Sequence, residues 1–323
     1  MKNKTKLWLG IDTSNYTTSV AVYDSESGRV LQRKKLLPVK HGERGIRQSD
    51  AVFHHTQQIR EVMELLIEDL SEFGVSDLRG ISAVAVSIKP CYTEASYMPC
   101  FTVGHTVART LSTALSVPLY EFSHQEGHIS AAVFSAGRED LFGKDFLAFH
   151  VSGGTTEMLM VSPSDRCPVS ASVIGESRDL KAGQAVDRIG VLLGLDFPCG
   201  PALEELALKS KREFDIRIPK LDSAFDCSLS GVENKCKKMI EDDELPCDTA
   251  LFCIKYIEKA ILTMAKTGME SYPELPIVFS GGVMSNSIIR SNIEAQNPNC
   301  FFATPGFSSD NAAGLAVLAS LMH

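Results

Sequence analysis

Residues 7–24 read LWLGIDTSNYTTSVAVYD, an apolar run, a polar turn and a second apolar run. β-Rich runs on either side of a short Asp/Thr/Ser/Asn stretch form a hairpin. The arrangement returns at 146–163 as FLAFHVSGGTTEMLMVSP. Laid together without gaps, Ser14 falls on Ser152, Thr17 on Thr155 and Thr18 on Thr156, and the flanking apolar runs match. A strand–turn–strand unit repeated about 138 residues later points to an internal duplication.

Between the hairpins, helical spacing of Val52, Ile59, Val62, Leu66 and Leu70 predicts a helix from Asp50 to about Phe73, with Gly74 as its stop. A strand at ISAVAVSI follows, then a helix through Val103, Val107 and Leu111, a strand at VPLYEF and a helix carrying His124 and His128. Such alternation indicates a mostly parallel, twisted sheet with helices on its faces. After the second hairpin, residues 175–272 read as a helical insertion that includes helices at Leu180–Leu193, Pro201–Ser210 and Thr249–Gly268. Strands at PIVFSGG and CFFATP, a helix after Ser285 and a last helix from Ser309 complete the chain. The expected organisation is a first α/β lobe over 1–143, with 309–323 packing back on it, and a second over 144–308. Two related halves, each opening on such a hairpin and facing one another across a cleft, are the actin/hexokinase/heat-shock-ATPase plan. The expected class is therefore α/β, two-lobed, with duplicated mixed sheets and a helical insertion in the second lobe. In that plan both turns point at the phosphates of one nucleotide.

The bulk composition narrows the function classes. With 44% hydrophobic and 22% charged residues, the 323-residue chain buries ordinary cores. No apolar run is long enough for a membrane span and no signal peptide is read at the start, so no membrane association is expected. Nine scattered cysteines without a Cys-x-x-Cys pair fit reduced thiols and a cytoplasmic protein. A net charge of −8 is unlike a protein that grips nucleic acid alone. The basic patch of Lys209, Lys211, Arg212, Arg217 and Lys220 reads as a solvated surface, so an RNA substrate would be held with the help of partners.

Five features are candidates for chemistry. His124 and His128, in SHQEGHIS, lie one turn apart on one helix face. The spacing suits two metal-ligating imidazoles and equally an ordinary helix face; a third ligand would be needed. A zinc protease places its Glu directly after the first His, and Gln125 stands there instead. Asp310, in FSSDNAAG, opens the last helix, where a carboxylate complements the helix dipole. Gly281 and Gly282, in SGGVMSN, end a strand before a helix start and would let backbone approach an anion. The turns at Asp12–Ser14 and Ser152–Gly153–Gly154 offer backbone N–H groups to phosphates, and are also what any tight hairpin uses. Gly183, between Asp179 and Asp187, costs helix stability, which suggests close contact with a ligand or another backbone and equally a helix packing point.

These motifs, in this order, resemble the universal tRNA threonylcarbamoyladenosine synthase family, the TsaD group, long labelled sialoglycoprotein endopeptidase. The resemblance covers nearly the whole chain. It rests on GIDTS at 10–14, HQEGH at 124–128, VSGGTTE at 151–157, GES at 175–177, AGQAVDRIGVLLGLDFPCGPALEELA at 182–207, SLSGVENK at 228–235, SGGVMSN at 280–286 and SDNAAG at 309–314. It implies metal-dependent transfer of a threonylcarbamoyl group from threonylcarbamoyl-adenylate to the exocyclic amine of the adenine beside the tRNA anticodon. It implies His124, His128 and Asp310 as ligands of one divalent metal, iron(II) or zinc. Asp12, Gly183, Asp187 and Asn286 match positions around the adenylate and acyl group, with Asp12 and Asp187 as catalytic carboxylates. The ligand implied is threonylcarbamoyl-adenylate or an adenine nucleotide, and the partners are tRNA and the subunits of a threonylcarbamoyl-transfer complex.

The chain departs from the family pattern at four places. Asn15-Tyr16-Thr17 replaces an acidic turn, Lys89-Pro90-Cys91 replaces Gly-Pro-Gly, and Thr155 replaces a His. Asp179-Leu180-Lys181-Ala182-Gly183-Gln184 stands for Asp-Asp-Ala-Ala-Gly-Glu. The alternative to an active transferase is a divergent, catalytically altered paralogue that serves as a nucleotide- or metal-binding scaffold or regulator.

Overall fold

A computed structural model describes residues 6–14, 16–38, 46–92, 96–307 and 312–323. The chain forms two units: Met1–Gly143 with Pro163–Ala171 and Ser309–His323, and Lys144–Ser162 with Ser172–Ser308. Residues 163–171, which the sequence assigns to the second lobe, thus belong to unit 1.

Unit 1 is built on strands β1 (Leu7–Ser14), β2 (Thr17–Asp24), β3 (Arg29–Leu36), β4 (Ile81–Lys89) and β5 (Leu119–Ser123), in the order β3-β2-β1-β4-β5. β1 is buried along its whole length as the middle strand. Leu7, Leu9 and Ile11 pack on Ile59, Val62 and Leu66 of α1 (Gln48–Asp69) and Ala108 of α2 (Phe101–Leu115). Gly10 meets α9 (Ala312–Leu321), and a Cβ there would lie 2.9 Å from the Ala316 amide nitrogen. Only glycine admits the helix that closely.

The sheet is mixed rather than mostly parallel, since β1–β2 and β2–β3 are antiparallel while β1–β4 and β4–β5 are parallel. The difference comes from β3, a charged edge strand whose Arg29, Arg33 and Lys35 pair with Glu72, Asp69 and Glu61. The predicted helix from Asp50 begins at Gln48 and ends at Asp69; Leu70–Phe73 tighten into a 3-10 turn, and Gly74 closes it at φ 69°.

Unit 2 repeats the plan with β6 (Phe146–Val151), β7 (Thr156–Ser162), β8 (Ser170–Glu176), β9 (Ile277–Ser280) and β10 (Cys300–Phe302), ordered β10-β9-β6-β7-β8. The duplication extends to register: Thr13 pairs with Thr18 in one hairpin, and Val151 with Thr156, each 138 positions later, in the other. The insertion carries α4 (Ala182–Leu192), α5 (Gly200–Ala207), α6 (Ser230–Glu241) and α7 (Pro246–Ser271), and α8 (Ser287–Gln296) follows β9. α7 starts earlier than its apolar period indicates because Pro246 suits a first helical turn. Buried residues of α4 to α7 join Leu147, Phe149 and Phe279 in one core. Among the described residues no helix is long and apolar enough to cross a membrane.

Candidate active site

The histidine helix α3 (His124–Ser135) starts at a capping box. Ser123 Oγ accepts the Glu126 N–H at 3.2 Å, and Glu126 Oε2 accepts the Ser123 N–H at 2.7 Å. Glu126 thus stands where helix capping needs it, three residues after the cap, rather than where a zinc protease needs its base. The Ser-x-x-Glu signal was present in SHQE and points to this role.

The His124 and His128 rings are 4.5 Å apart between centroids and inclined at 76°. His124 Nδ1 lies 3.3 and 3.2 Å from the two carboxylate oxygens of Asp12. Asp12 is buried and also accepts hydrogen bonds from Ser14 Oγ at 2.7 Å and from Ser87 Oγ. Burial alone would push its carboxyl up, but the charge and hydrogen bond of His124, with the two hydroxyls, hold it below the usual carboxylate range. When Nδ1–H donates to this carboxylate, Nε2 carries the lone pair of the neutral ring. Ser87, one strand away on β4, is a partner that no local motif announces.

Asp310 lies outside the described residues, as does Asn15. Among the described residues, no group of three His, Cys, Asp or Glu side chains is arranged to hold a metal ion.

In unit 2 the turn between β6 and β7 is closed by its own side chains. Ser152 N donates to the Thr155 carbonyl at 2.9 Å, and the Ser152 and Thr155 hydroxyls lie 2.8 Å apart. Thr155, which stands where the family has a His, is therefore a turn-closing residue. Gly153 and Gly154 face open space, and a Cβ on either would meet nothing within 4 Å. Gly183 sits in the first turn of α4, and its close neighbour is another backbone. Its N–H donates to the Ser152 carbonyl at 3.1 Å, and a Cβ would lie 2.7 Å from Gly153 Cα.

The Gly281–Gly282 pair does not lead directly into a helix as expected. Gly281, at φ 97°, sits against the Val151 backbone, and Gly282–Ser285 form a 3-10 turn before α8. The start of α8 is already used. Asn286 Oδ1 accepts the Ile288 and Ile289 N–H groups at 3.1 Å each, and Glu204 accepts that of Ser287 at 2.8 Å. Asp187 Oδ1 accepts the Cys199 N–H at 2.9 Å, just before α5. Burial pushes the Asp187 carboxyl up, and that hydrogen bond offsets it in part. Ser152, Gly153 and Gly183 are therefore in direct contact, whereas Asp187 and Asn286 are each bonded to a helix start.

A family model described as "TsaD: tRNA N6-adenosine threonylcarbamoyltransferase" matches residues 30–317. The chain belongs to the TsaD family. TsaD membership makes it a relative of tRNA-modifying transferases. Solved structures share its fold at low identity. Component A of the (R)-2-hydroxyglutaryl-CoA dehydratase of Acidaminococcus fermentans is 14% identical, with 98% of this chain and 97% of that chain covered and a TM-score of 0.55. Full-length HypF in a phosphate- and nucleotide-bound form is 13% identical, with 99% and 56% covered and a TM-score of 0.61. HypF of T. kodakarensis is 15% identical, with 98% and 47% covered and a TM-score of 0.60. At these identities the likeness carries the fold alone, which is the duplicated actin/hexokinase/heat-shock-ATPase plan.

Proposed function

We propose that this TsaD-family protein transfers a threonylcarbamoyl group from threonylcarbamoyl-adenylate to N6 of the adenine beside the tRNA anticodon. The observation that carries this reading is the His124–His128 pair, rings 4.5 Å apart, with His124 held by the buried Asp12 carboxylate. In the transfer the amine nitrogen bonds to the carbamoyl carbon, the bond from that carbon to the phosphate oxygen breaks, AMP leaves and the amine gives up a proton.

His124 and His128 would hold one divalent metal, iron(II) or zinc, with Asp310 as the proposed third ligand. The pair fits such an ion: both imidazoles lie on one helix face, and a carboxylate behind the first is the usual orienting partner of a metal-bound histidine. Bound there, the ion would supply Lewis-acid polarisation of a carbonyl and neutralise phosphate charge.

The chain's own residues bind and orient. Asp12 fixes the tautomer and direction of the His124 ring. Ser152, Gly153 and Gly154 offer an unobstructed turn to phosphate oxygens, and Gly183 backs that turn. Gly281 and Gly282 remain proposed ligand contacts through their backbone, and Asn286 through its amide nitrogen. Asp187, its carboxyl pushed up by burial, is the carboxylate proposed to take the amine proton. With a net charge of −8, the protein would hold tRNA together with partner subunits, in the cytoplasm.

A second reading, a nucleotide- or metal-binding scaffold without turnover, is favoured by Asp187 and Asn286 being engaged in helix capping. One experiment separates the two. Labelled threonylcarbamoyl is supplied with unmodified tRNA, metal and partner subunits, and transfer is followed for wild type and His124→Ala. Transfer by wild type that His124→Ala abolishes is expected. Absence of product, or equal product from both, sinks the transferase reading; nucleotide binding without product supports the scaffold.

A further inference from the structure

The chain linking β7 to β8 belongs to unit 1, and it brings Arg166 to the start of the histidine helix. Arg166 pairs with Glu126 through two contacts, Nη2 to Oε1 and Nη1 to Oε2, the latter 3.3 Å long. Glu126 is 2% exposed. Its Oε2 also accepts the Ser123 N–H and lies 2.9 Å from Ser123 Oγ. Among the described residues its ion pair is with Arg166. The neighbouring Cys167 supplies no charge, because burial, with the Glu126 carboxylate adding to it, pushes its thiol up to about 12.

The guanidinium is itself held. Its Cζ lies 3.5 Å from the centre of the Tyr92 ring, and Lys89 Nζ lies 4.0 Å from the same centre. Lys89 pairs with Ser123 in the sheet, and the Gln125 N–H donates to the Pro90 carbonyl at 2.9 Å. Tyr92, Gln125, Glu126, Ser164, Arg166 and Ser170 line a pocket of about 440 Å³ here.

A buried carboxylate that loses its counter-charge turns toward water. That turn gives up the bond from Glu126 to the Ser123 N–H. That bond fixes the turn carrying His124, one residue after the cap and four before His128.

We infer that Arg166 is a positioning residue for the His124–His128 pair, acting through Glu126, and that the Tyr92 ring, which Lys89 also contacts, holds its guanidinium. The replacement of the family's Gly-Pro-Gly by Lys89-Pro90-Cys91 then has a physical role, since Lys89 becomes part of the brace. In its consequence for metal the inference rests on the reading proposed above; in its consequence for the helix turn it does not.

The test uses the full chain as wild type, Arg166→Met, Arg166→Lys, Tyr92→Leu and Arg33→Met. The last breaks the Arg33–Asp69 pair elsewhere in unit 1. Amide hydrogen exchange over residues 123–128 is expected to quicken about ten-fold or more in Arg166→Met, to recover in part in Arg166→Lys and to stay at the wild-type rate in Arg33→Met. Tyr92→Leu keeps the charge and gives a smaller change in the same direction, so it carries the test where Arg166→Met folds poorly. Titration with Co(II), followed by its visible bands, is expected to show roughly 10- to 100-fold weaker binding in Arg166→Met. Unchanged exchange over 123–128 overturns the inference, as does faster exchange with unchanged Co(II) affinity. A wild type that takes up no Co(II) sinks the metal reading, and the exchange comparison then decides the positioning role by itself.

Discussion

His124 Nδ1 sits 3.2 Å from the carboxylate of Asp12, a residue 112 positions earlier in the chain. The contact joins the end of β1 to the start of α3, and it gives the histidine a defined tautomer before any ligand arrives.

Asp12→Asn keeps the shape and removes the charge. It is expected to weaken divalent-metal binding about 10- to 100-fold and to reduce transfer at least as much. Isothermal titration with Zn(II), beside the transfer assay, checks this. Wild-type affinity in Asp12→Asn would show that the carboxylate has no hold on the site.

Backbone contact and open space predict opposite behaviour for neighbouring glycines. Gly183→Ala drives a Cβ to 2.7 Å from Gly153 Cα, so the backbone of the turn has to shift rather than a flexible side chain. A loss of about 1–3 kcal/mol in unit 2 is expected. Gly154→Ala meets nothing within 4 Å, so its stability should stay near wild type while adenine-nucleotide affinity falls. Urea unfolding and nucleotide titration of the two variants make the comparison.

Asn286 carries two assignments that substitution can part. Asn286→Ala removes the acceptor for Ile288 and Ile289 and should cost about 1 kcal/mol. Asn286→Asp keeps that acceptor and should keep stability. If the amide nitrogen contacts the donor substrate, Asn286→Asp is stable and impaired in transfer. Unimpaired transfer would leave this residue a helix cap alone.

His55 predicts acid lability of unit 1. Its side chain is fully buried, its Nδ1 lies 2.8 Å from Thr18 Oγ1, and burial lowers its pKa from 6.5 to about 4. The folded protein thus prefers the neutral ring more than the unfolded chain does. The resulting stability is present above about pH 6.5 and is lost as pH falls toward 4, by about 2 kcal/mol at pH 5. Trp8, the single tryptophan, lies in unit 1 and reports its unfolding. Urea midpoints at pH 7 and pH 5 should move apart in wild type and converge in His55→Gln.

Local patterns made some of this architecture readable. Each hairpin carries its own apolar runs and polar turn, so the duplication showed in Ser14 and Ser152 as letters, and the pairing register follows the same offset. The histidine spacing placed both rings on one helix face. β3 was not legible, because Arg29, Arg33 and Lys35 alternate charge rather than hydrophobicity along an exposed edge. The 3-10 turn after Gly282 was hidden because short turns and helix starts draw on the same residues. Glu126 announced its cap through Ser-x-x-Glu, but the Arg166 that neutralises it lies 40 residues away, and no periodicity links the two.

Gly10 on β1 and Ala312–Ala316 on α9 pack backbone to backbone, although some three hundred residues of chain separate them. During synthesis β1 is made some three hundred residues before the helix that covers its Gly10 face. Unit 2, drawn mainly from the contiguous stretch between them, has its strands in hand sooner. A nascent chain therefore carries β1 with its Gly10 face uncovered while some three hundred residues are added, an exposure that unit 2 is spared.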